Sequence, residues 1–250
     1  MREILQTTIP YDPLSPRPLP GIQPLNMAEW LIVDDAYSAQ MAERARLLTD
    51  HRAAVVALDP AAQPAARELL DVVLAWLSDL PGFVVCGTSV TRPDGQAIDV
   101  RLDDPLGTLG HLVQEDFCLM ERRGEEHVLT GAVLCFPSFW TLAEKFMHPM
   151  TRIHVPVASY TDDMAKRVQR LFDGVQIDRP LWRFNTLWHV DPTLYHPQAE
   201  AVAHMTYSRE TARYLRSERQ CLRRLPKSGA VVFSIHTYML SADRFRVSDG

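Results

Sequence analysis

The sequence predicts an α+β domain in which an antiparallel sheet carries helices on one side. The first half of the chain holds leucines at helical spacing, whereas the second half holds short runs rich in β-branched and aromatic residues between turns. The 250 residues are 46% hydrophobic and 23% charged, which is ordinary for a soluble globular protein that buries a full core.

The elements begin with an arm and two helices. Residues 1–25 are predicted to be an extended, proline-rich arm, because six prolines fall between positions 10 and 24, and residues 26–250 are predicted to form a single domain. Asn26 is expected to cap a helix that runs to Leu48. A second helix is predicted around residues 69–80, where the apolar side chains share one face, and Pro81 ends it.

The rest of the chain alternates between strands and helices. The predicted elements are strands at 83–90 and 97–102, a helix at 106–121, a strand at 127–136, a short helix at 139–146 capped by Ser138, a strand around His154, a helix at 161–172, and strands at 181–190 and 229–238.

Charge and cysteine usage disfavour several classes of function. The net charge is −5 without a basic run, which argues against a nucleic-acid partner. The N-terminus has no apolar signal-peptide core, and no apolar run is long enough to cross a membrane. The four cysteines lie far apart without a Cys-x-x-Cys pair, which argues against a zinc or iron–sulfur site and predicts a cytoplasmic protein.

Standard enzyme signatures are absent. The sequence contains neither the glycine-rich loops that bind nucleotide phosphates nor the Gly-x-Ser-x-Gly and His-Glu-x-x-His motifs of hydrolases. A hydrolase of a familiar kind is therefore disfavoured.

His154 is the most informative single residue, because it stands in the apolar stretch Ile-His-Val-Pro-Val. One interpretation is a core histidine whose ring nitrogens bond to carbonyls or water. The other is an axial ligand of haem iron, since a porphyrin needs a flat apolar pocket and a neutral imidazole. His189 and His236 are alternative ligands, and the residues alone do not choose among the three.

Ordered blocks between Trp30 and Tyr238 carry a resemblance to a known family. The blocks are Val113–Phe117, Phe136–Trp140, Leu142–Lys145, Ile153–Val157, Trp182–Asn185, and Arg216–Pro226 together with Ser228–Tyr238. In this order they resemble the haem-dependent oxidative N-demethylase family, which includes the haem subunit of dimethylamine monooxygenase. The resemblance implies a PAS-like antiparallel sheet with flanking helices, and haem b held by one histidine.

The resemblance also implies roles for individual residues. It makes His154 the iron ligand, with its second ring nitrogen donating to a carbonyl or carboxylate. Arg219 and Arg223 are then expected to pair with haem propionates, and Glu218 is expected to attract a cationic amine at the catalytic centre. Without the family, the block from Arg216 to Pro226 is equally consistent with a solvated charged face.

The reaction that the resemblance implies is oxidative N-demethylation of a small secondary amine such as dimethylamine. It would consume O2 and release formaldehyde and the shorter amine. Because the chain has no flavin or iron–sulfur motif, a flavin or iron–sulfur reductase is expected to supply electrons in trans. The competing hypothesis is a PAS-like haem sensor or binding module without catalysis.

Overall fold

A computed structural model describes residues 3–16, 21–154, 162–203 and 205–245. Its helices are α1 (Tyr37–Asp50), α2 (Arg52–Val55), α3 (Gln63–Asp79), α4 (Pro105–Leu112), α5 (Leu142–Lys145), α6 (Met150–Ile153) and α7 (Asp162–Gly174). Its strands are β1 (Gln23–Pro24), β2 (Val56–Leu58), β3 (Val84–Cys86), β4 (Ser89–Thr91), β5 (Ala97–Asp99), β6 (Asp116–Arg123), β7 (Glu126–Val133), β8 (Leu181–His189), β9 (Tyr214–Arg224) and β10 (Val231–Ser241).

A large antiparallel sheet is the centre of the fold, as predicted. Its strand order is β1-β8-β9-β10-β6-β7-β2, and each neighbouring pair runs antiparallel. The predicted helices at the positions of α3 and α7 and the predicted strands β7, β8 and β10 are confirmed, with small shifts at their ends. Three short strands, β3-β4-β5, form a separate sheet.

Helices cover both faces of the large sheet, whereas the sequence predicted helices on one side. Along β6, Phe117 and Leu119 pack into a cluster with leucines of α3, while Cys118 and Met120 pack into a second cluster with Phe172 of α7. Successive side chains of a strand point to opposite faces, so both faces of β6 are buried. We call these two sides the α3 face and the α7 face.

The predicted helix between Asn26 and Leu48 is wrong in its first part. Asn26 caps only a 3₁₀ turn, Met27–Glu29, and α1 begins at Tyr37. The backbone amides of Ile32 and Asp34 donate instead to side chains of the segment between α4 and β6. A helix cannot form where its amides are bonded elsewhere.

The predicted helix at 106–121 ends early, at Leu112, and β6 follows from Asp116. The buried Arg44 of α1 donates to the carbonyls of Gly110, Gln114 and Glu115. Two of these carbonyls belong to the segment where a continued helix would need them for its own hydrogen bonds. The change from helix to strand therefore depends on a side chain about seventy residues away in sequence.

Two shorter predictions also differ from the structure. The single strand predicted at 83–90 is the hairpin of β3 and β4, which turns at Gly87 with a φ of 58°. The helix predicted to start after Ser138 begins only at Leu142, because Phe139 has a φ of 59°, outside the helical region.

The N-terminal arm contacts the sheet at several points. The backbone amide of Gln6 donates to the carbonyl of Met239 in β10, and the side-chain oxygen of Gln6 accepts from the backbone amide of Met239. Tyr11 stacks on Phe184 of β8 at 4.5 Å, on the α3 face. Residues 17–20 of the predicted arm lie outside the described residues, and the domain boundary at residue 25 stays a prediction.

No helix within the described ranges combines the length and the apolarity that a membrane crossing requires.

Candidate functional site

Glu218 lies in the middle of β9, and its side chain projects from the α7 face. It is only 7% exposed, yet its carboxylate receives three side-chain donors. The amides of Asn185 and Gln220 each donate to Oε2 at 3.1 Å, and Arg216 donates to Oε1 at 3.2 Å. The chain therefore holds a carboxylate at a fixed position in a dry part of the sheet.

Arg216 is the charge partner of Glu218 and is 1% exposed. Its guanidinium also donates to the backbone carbonyls of Leu194 at 2.9 Å and Phe136 at 2.5 Å. Burial lowers the pKa of Arg216, and the charge of Glu218 opposes that shift. The interpretation of this block as a solvated charged face is therefore wrong for its first half, and the buried pair ties β9 to the segments after β7 and β8.

His154 follows the last residue of α6, so the strand predicted around it is wrong on its N-terminal side. Positions 155–157 of that strand lie outside the described residues. The Nδ1 atom lies 2.8 Å from the carbonyl oxygen of Met150, one turn earlier in the helix. A proton on Nδ1 satisfies this carbonyl and puts the ring's lone pair on Nε2.

The surroundings of His154 favour the neutral form of its ring. Burial lowers the pKa of His154, and the cations Lys145 and Arg183 lower it further, against the effect of the Met150 hydrogen bond. Lys145 also donates to the carbonyl of Ile153 at 2.6 Å and pairs with Glu200. The helix end that carries His154 is therefore anchored to a second loop.

Arg183 of β8 connects the two groups, and the sequence analysis missed it. It lies opposite Gln220 in the β8–β9 register, and its charge acts on the pKa of His154. Burial lowers the pKa of Arg183, and the charge of Glu218 opposes that shift. Its Nε is buried without a hydrogen-bond partner among the described residues. The sequence signal for Arg183 was its position two residues before Asn185 on a predicted strand, since side chains at this spacing share one face of a sheet.

Arg219 and Arg223 point to the other side of the sheet. Arg219 lies over the ring of Trp182 and contacts the Trp30 carbonyl, and Arg223 lies over the Trp30 ring, all on the α3 face. The register of β9 with both neighbouring strands is regular, so the side chains of Arg219 and Arg223 lie on the other face of the sheet from Glu218. The structure therefore does not bring these two arginines together with His154, and their role as haem contacts stays a prediction.

The two alternative histidines differ in their surroundings. Both ring nitrogens of His236 are bonded to carboxylates, Nδ1 to Glu115 at 2.9 Å and Nε2 to Asp34 at 3.0 Å, so neither has a lone pair for a metal. His189 lies at the far end of β8 on the α7 face, where burial lowers its pKa to about 4. Its Nε2 is buried without a hydrogen-bond partner in the described parts of the chain. His189 thus stays an alternative ligand.

The Asp34–His236–Glu115 cluster makes stability depend on pH. Burial opposes the charged imidazole, but the hydrogen bonds and charges of the two carboxylates outweigh it and raise the pKa of His236 from 6.5 to about 9. A raised pKa stabilises the folded state fully below the unfolded value, and the contribution disappears as pH rises through the folded value. We expect the unfolding free energy to fall between about pH 6.5 and about pH 9.

Urea denaturation at a series of pH values measures this effect, with His236→Gln as the comparison. The variant should lose stability at pH 6 and show a flatter profile, because glutamine carries no proton that titrates in this range. Parallel profiles for the two proteins would show that His236 is not charged in the folded state.

The family model described as "Haem-dependent oxidative N-demethylase, alpha subunit-like" matches residues 21–250 of the chain.

Proposed function

Because the chain belongs to the family of haem-dependent oxidative N-demethylase alpha subunit-like proteins, we propose that it binds haem b through His154 and demethylates a small secondary amine. The observation that carries the proposal is the state of His154. Burial and the neighbouring cations lower the pKa of its ring, which favours the neutral form that binds iron, and the contact between Nδ1 and the Met150 carbonyl orients the ring. His154 would hold the haem iron as its single protein ligand.

The residues around His154 fit a haem on the α7 face. The apolar cluster of this face includes Ile153 beside His154, together with Trp140 and Phe233. Arg183 offers a buried Nε without a partner among the described residues, and a haem propionate would satisfy it. Since the sheet separates Arg219 and Arg223 from this face, we assign the propionate contact to Arg183 instead.

The PAS-like relationship remains part of the proposal. The hairpin β6–β7 is followed by the short helices α5–α7, and the meander β8-β9-β10 then returns its last strand beside β6. This order places the helices α5, α6 and α7, which lie between β7 and β8 along the chain, on the α7 face next to His154. A haem between these helices and the sheet is what the relationship to PAS domains predicts.

When bound, haem would supply the oxidation of the N-methyl carbon, using O2 and external electrons, and formaldehyde and the shorter amine would be released. The chain's own residues bind and orient. Glu218 attracts the protonated amine, and Arg216, Asn185 and Gln220 hold its carboxylate in place. Met150 fixes the tautomer of His154.

The electron donor is proposed to be a flavin or iron–sulfur reductase in trans. The alpha-subunit-like description of the family supports an assembly with other subunits. We expect the purified chain alone to show no turnover with a nicotinamide cofactor.

One observation favours the alternative of a haem sensor or binding module. Arg216 already neutralises Glu218, so an amine has to share this carboxylate with a buried cation. A protein that binds only a diatomic gas needs no such anion. Haem-loaded protein supplied with dimethylamine, O2 and a reductase separates the two, since formaldehyde release supports the enzyme and its absence supports the sensor.

Glu218→Gln is expected to weaken amine binding while sparing the haem spectrum. Glutamine keeps an oxygen acceptor for Asn185 and Gln220 but removes the charge that attracts a cationic amine. Loss of a buried charged partner typically costs a few kcal/mol. The amine concentration that produces half of the spectral shift should therefore rise about tenfold or more.

Glu125→Gln in the exposed β6–β7 turn is the matched control and should titrate like the parent. If Glu218→Gln also titrates like the parent, the anion of the amine site lies elsewhere. A changed haem occupancy would instead show that Glu218 supports the haem itself.

A further inference from the structure

Arg223, near the end of β9, carries a guanidinium whose donors are unused. The guanidinium carbon lies 4.4 Å from the centre of the Trp30 ring on the α3 face. Its Nε and Nη1 atoms are buried, and neither has a hydrogen-bond partner within the described residues. Stacking on an indole offsets part of the cost of burying a cation, but it does not satisfy N–H donors that lie in the plane of the guanidinium.

The neighbouring arginines of β9 show that burial alone does not produce this state. Arg216 donates to two backbone carbonyls and to Glu218. Arg224 donates from all three of its nitrogens to backbone carbonyls. Arg219 reaches the Trp30 carbonyl and the sulfur of Cys221. Arg216 also has a buried Nε without a described partner, but Arg223 differs from the other three arginines because its guanidinium makes no hydrogen bond among the described residues.

No carboxylate of the described chain neutralises Arg223. Burial lowers the pKa of its guanidinium, and no charged neighbour among the described residues acts on it. Arg223 is half-buried, but its buried Nε and Nη1 donors cost free energy without a partner, and groups of this kind are candidates for a binding site.

A second buried donor without a described partner belongs to a ring that packs on the same indole. Trp76 of α3 packs edge-to-face on Trp30, with ring centres 5.8 Å apart, and its Nε1 is buried without a partner among the described residues. The N–H of Trp30 itself is already used, because it donates to Ser234 Oγ at 3.2 Å. The surroundings of Trp30 thus offer unused donors from two elements, and both residues contribute apolar area as well.

We propose that Arg223, Trp30 and Trp76 form a binding site for the carboxylate of a small organic molecule, on the sheet face opposite His154. A carboxylate is planar and matches the fork of a guanidinium with two parallel hydrogen bonds. The indole rings favour a ligand whose remaining part is apolar. The site differs from the proposed haem site because β9 places Arg223 on the α3 face and Glu218 on the α7 face.

Carboxylate-dependent stabilisation of the full chain tests the proposal, with sodium acetate and sodium benzoate as probes. A ligand that binds only the folded state raises the melting temperature as its concentration increases. We expect both salts to do so relative to sodium chloride at equal ionic strength, with benzoate stronger than acetate, while the neutral amide benzamide has no effect. A phosphate arm tests the chemical class: stabilisation by phosphate but by neither carboxylate would overturn it.

Three variants locate the site. Arg223→Gln should weaken benzoate binding about tenfold or more, and Trp76→Phe, which removes the N–H together with part of the ring area, should weaken it by a smaller factor. The exposed Arg122→Gln should bind benzoate like the parent. An unchanged benzoate response in Arg223→Gln sinks the proposal.

Two further readouts keep the test independent of folding and of haem. Without benzoate, Arg223→Gln should melt close to the parent, because it loses the stacking on Trp30 but breaks no hydrogen bond among the described residues. A large loss of stability would mark Arg223 as a structural residue instead. In a haem titration, Arg223→Gln should match the parent. A roughly tenfold weaker haem affinity would assign Arg223 to a propionate and overturn the separate site.

Discussion

His154→Ala is expected to abolish stable haem binding while leaving the apoprotein folded. In the proposed function the imidazole is the one strong protein bond to iron, so its loss should remove the Soret band from the purified protein. The side chain lies at the end of a four-residue helix, and its loss removes the hydrogen bond to Met150. Such a bond contributes about 1 kcal/mol, so far-ultraviolet circular dichroism should stay unchanged.

His148→Ala is the matched control, since His148 is exposed six residues earlier. It should retain the parent spectrum. Added imidazole should restore a haem spectrum to His154→Ala if the cavity is otherwise intact. A parent-like spectrum in His154→Ala would exclude this ligand, and His189→Ala would then be the variant to examine, because His189 lies on the same face with a neutral ring.

Arg44→Met is expected to cause the largest loss of stability. Arg44 is fully buried, contacts Asp116 at 2.6 Å, and donates to the carbonyls of Gly110, Gln114 and Glu115. Removing one partner of a buried pair typically costs about 3–5 kcal/mol, because the other charge stays buried. Total stabilities are only about 5–15 kcal/mol, so the variant should melt roughly 10 °C lower or fail to fold.

Arg46→Met, two residues later in α1, serves as the comparison. Arg46 is 43% exposed, and its ion pairs with Glu43 and Asp50 lie on the surface of α1. Its loss should change stability by less than about 1 kcal/mol. Equal destabilisation in the two variants would mean that the helix, and not the buried pair, determines the effect at position 44.

The elements that could be predicted from the sequence are those whose pattern lies within one segment. The leucine stripe of α3 and the apolar strands β7 and β10 show their own periodicity, and all three are confirmed. The boundary between α4 and β6 could not be predicted, since it depends on carbonyls that a distant arginine binds. Long-range hydrogen bonds of this kind leave no local pattern.

Strand β9 shows why the charged block was misleading. Charged residues at this density normally indicate a solvent-exposed segment, yet Arg216 and Glu218 are buried and Arg219 is 3% exposed. Their partners Phe136, Asn185 and Leu194 come from other parts of the chain. Burial of this strand is favourable because these partners satisfy its polar groups. The local sequence of β9 does not show that such partners exist.

The candidate site was predictable in part. His154 and Glu218 were named from their residue types and the family resemblance, and the structure places both near Arg183. Arg219 and Arg223 were assigned to the same haem as His154 because the sequence did not show that this block is a strand. In a strand, consecutive residues cannot line the same face, so Glu218 and Arg219 were always on opposite sides.

The position of β10 has a consequence for biosynthesis. It lies between β9 and β6, yet it is the last strand along the described part of the chain, beginning at Val231. While the ribosome is still translating earlier segments, the β6–β7 hairpin and the β8–β9 hairpin have no shared neighbour, and each exposes an unpaired edge that invites aggregation. The large sheet is therefore complete only once β10 has been synthesised, and the proposed haem site on the α7 face would form only after translation has passed this strand.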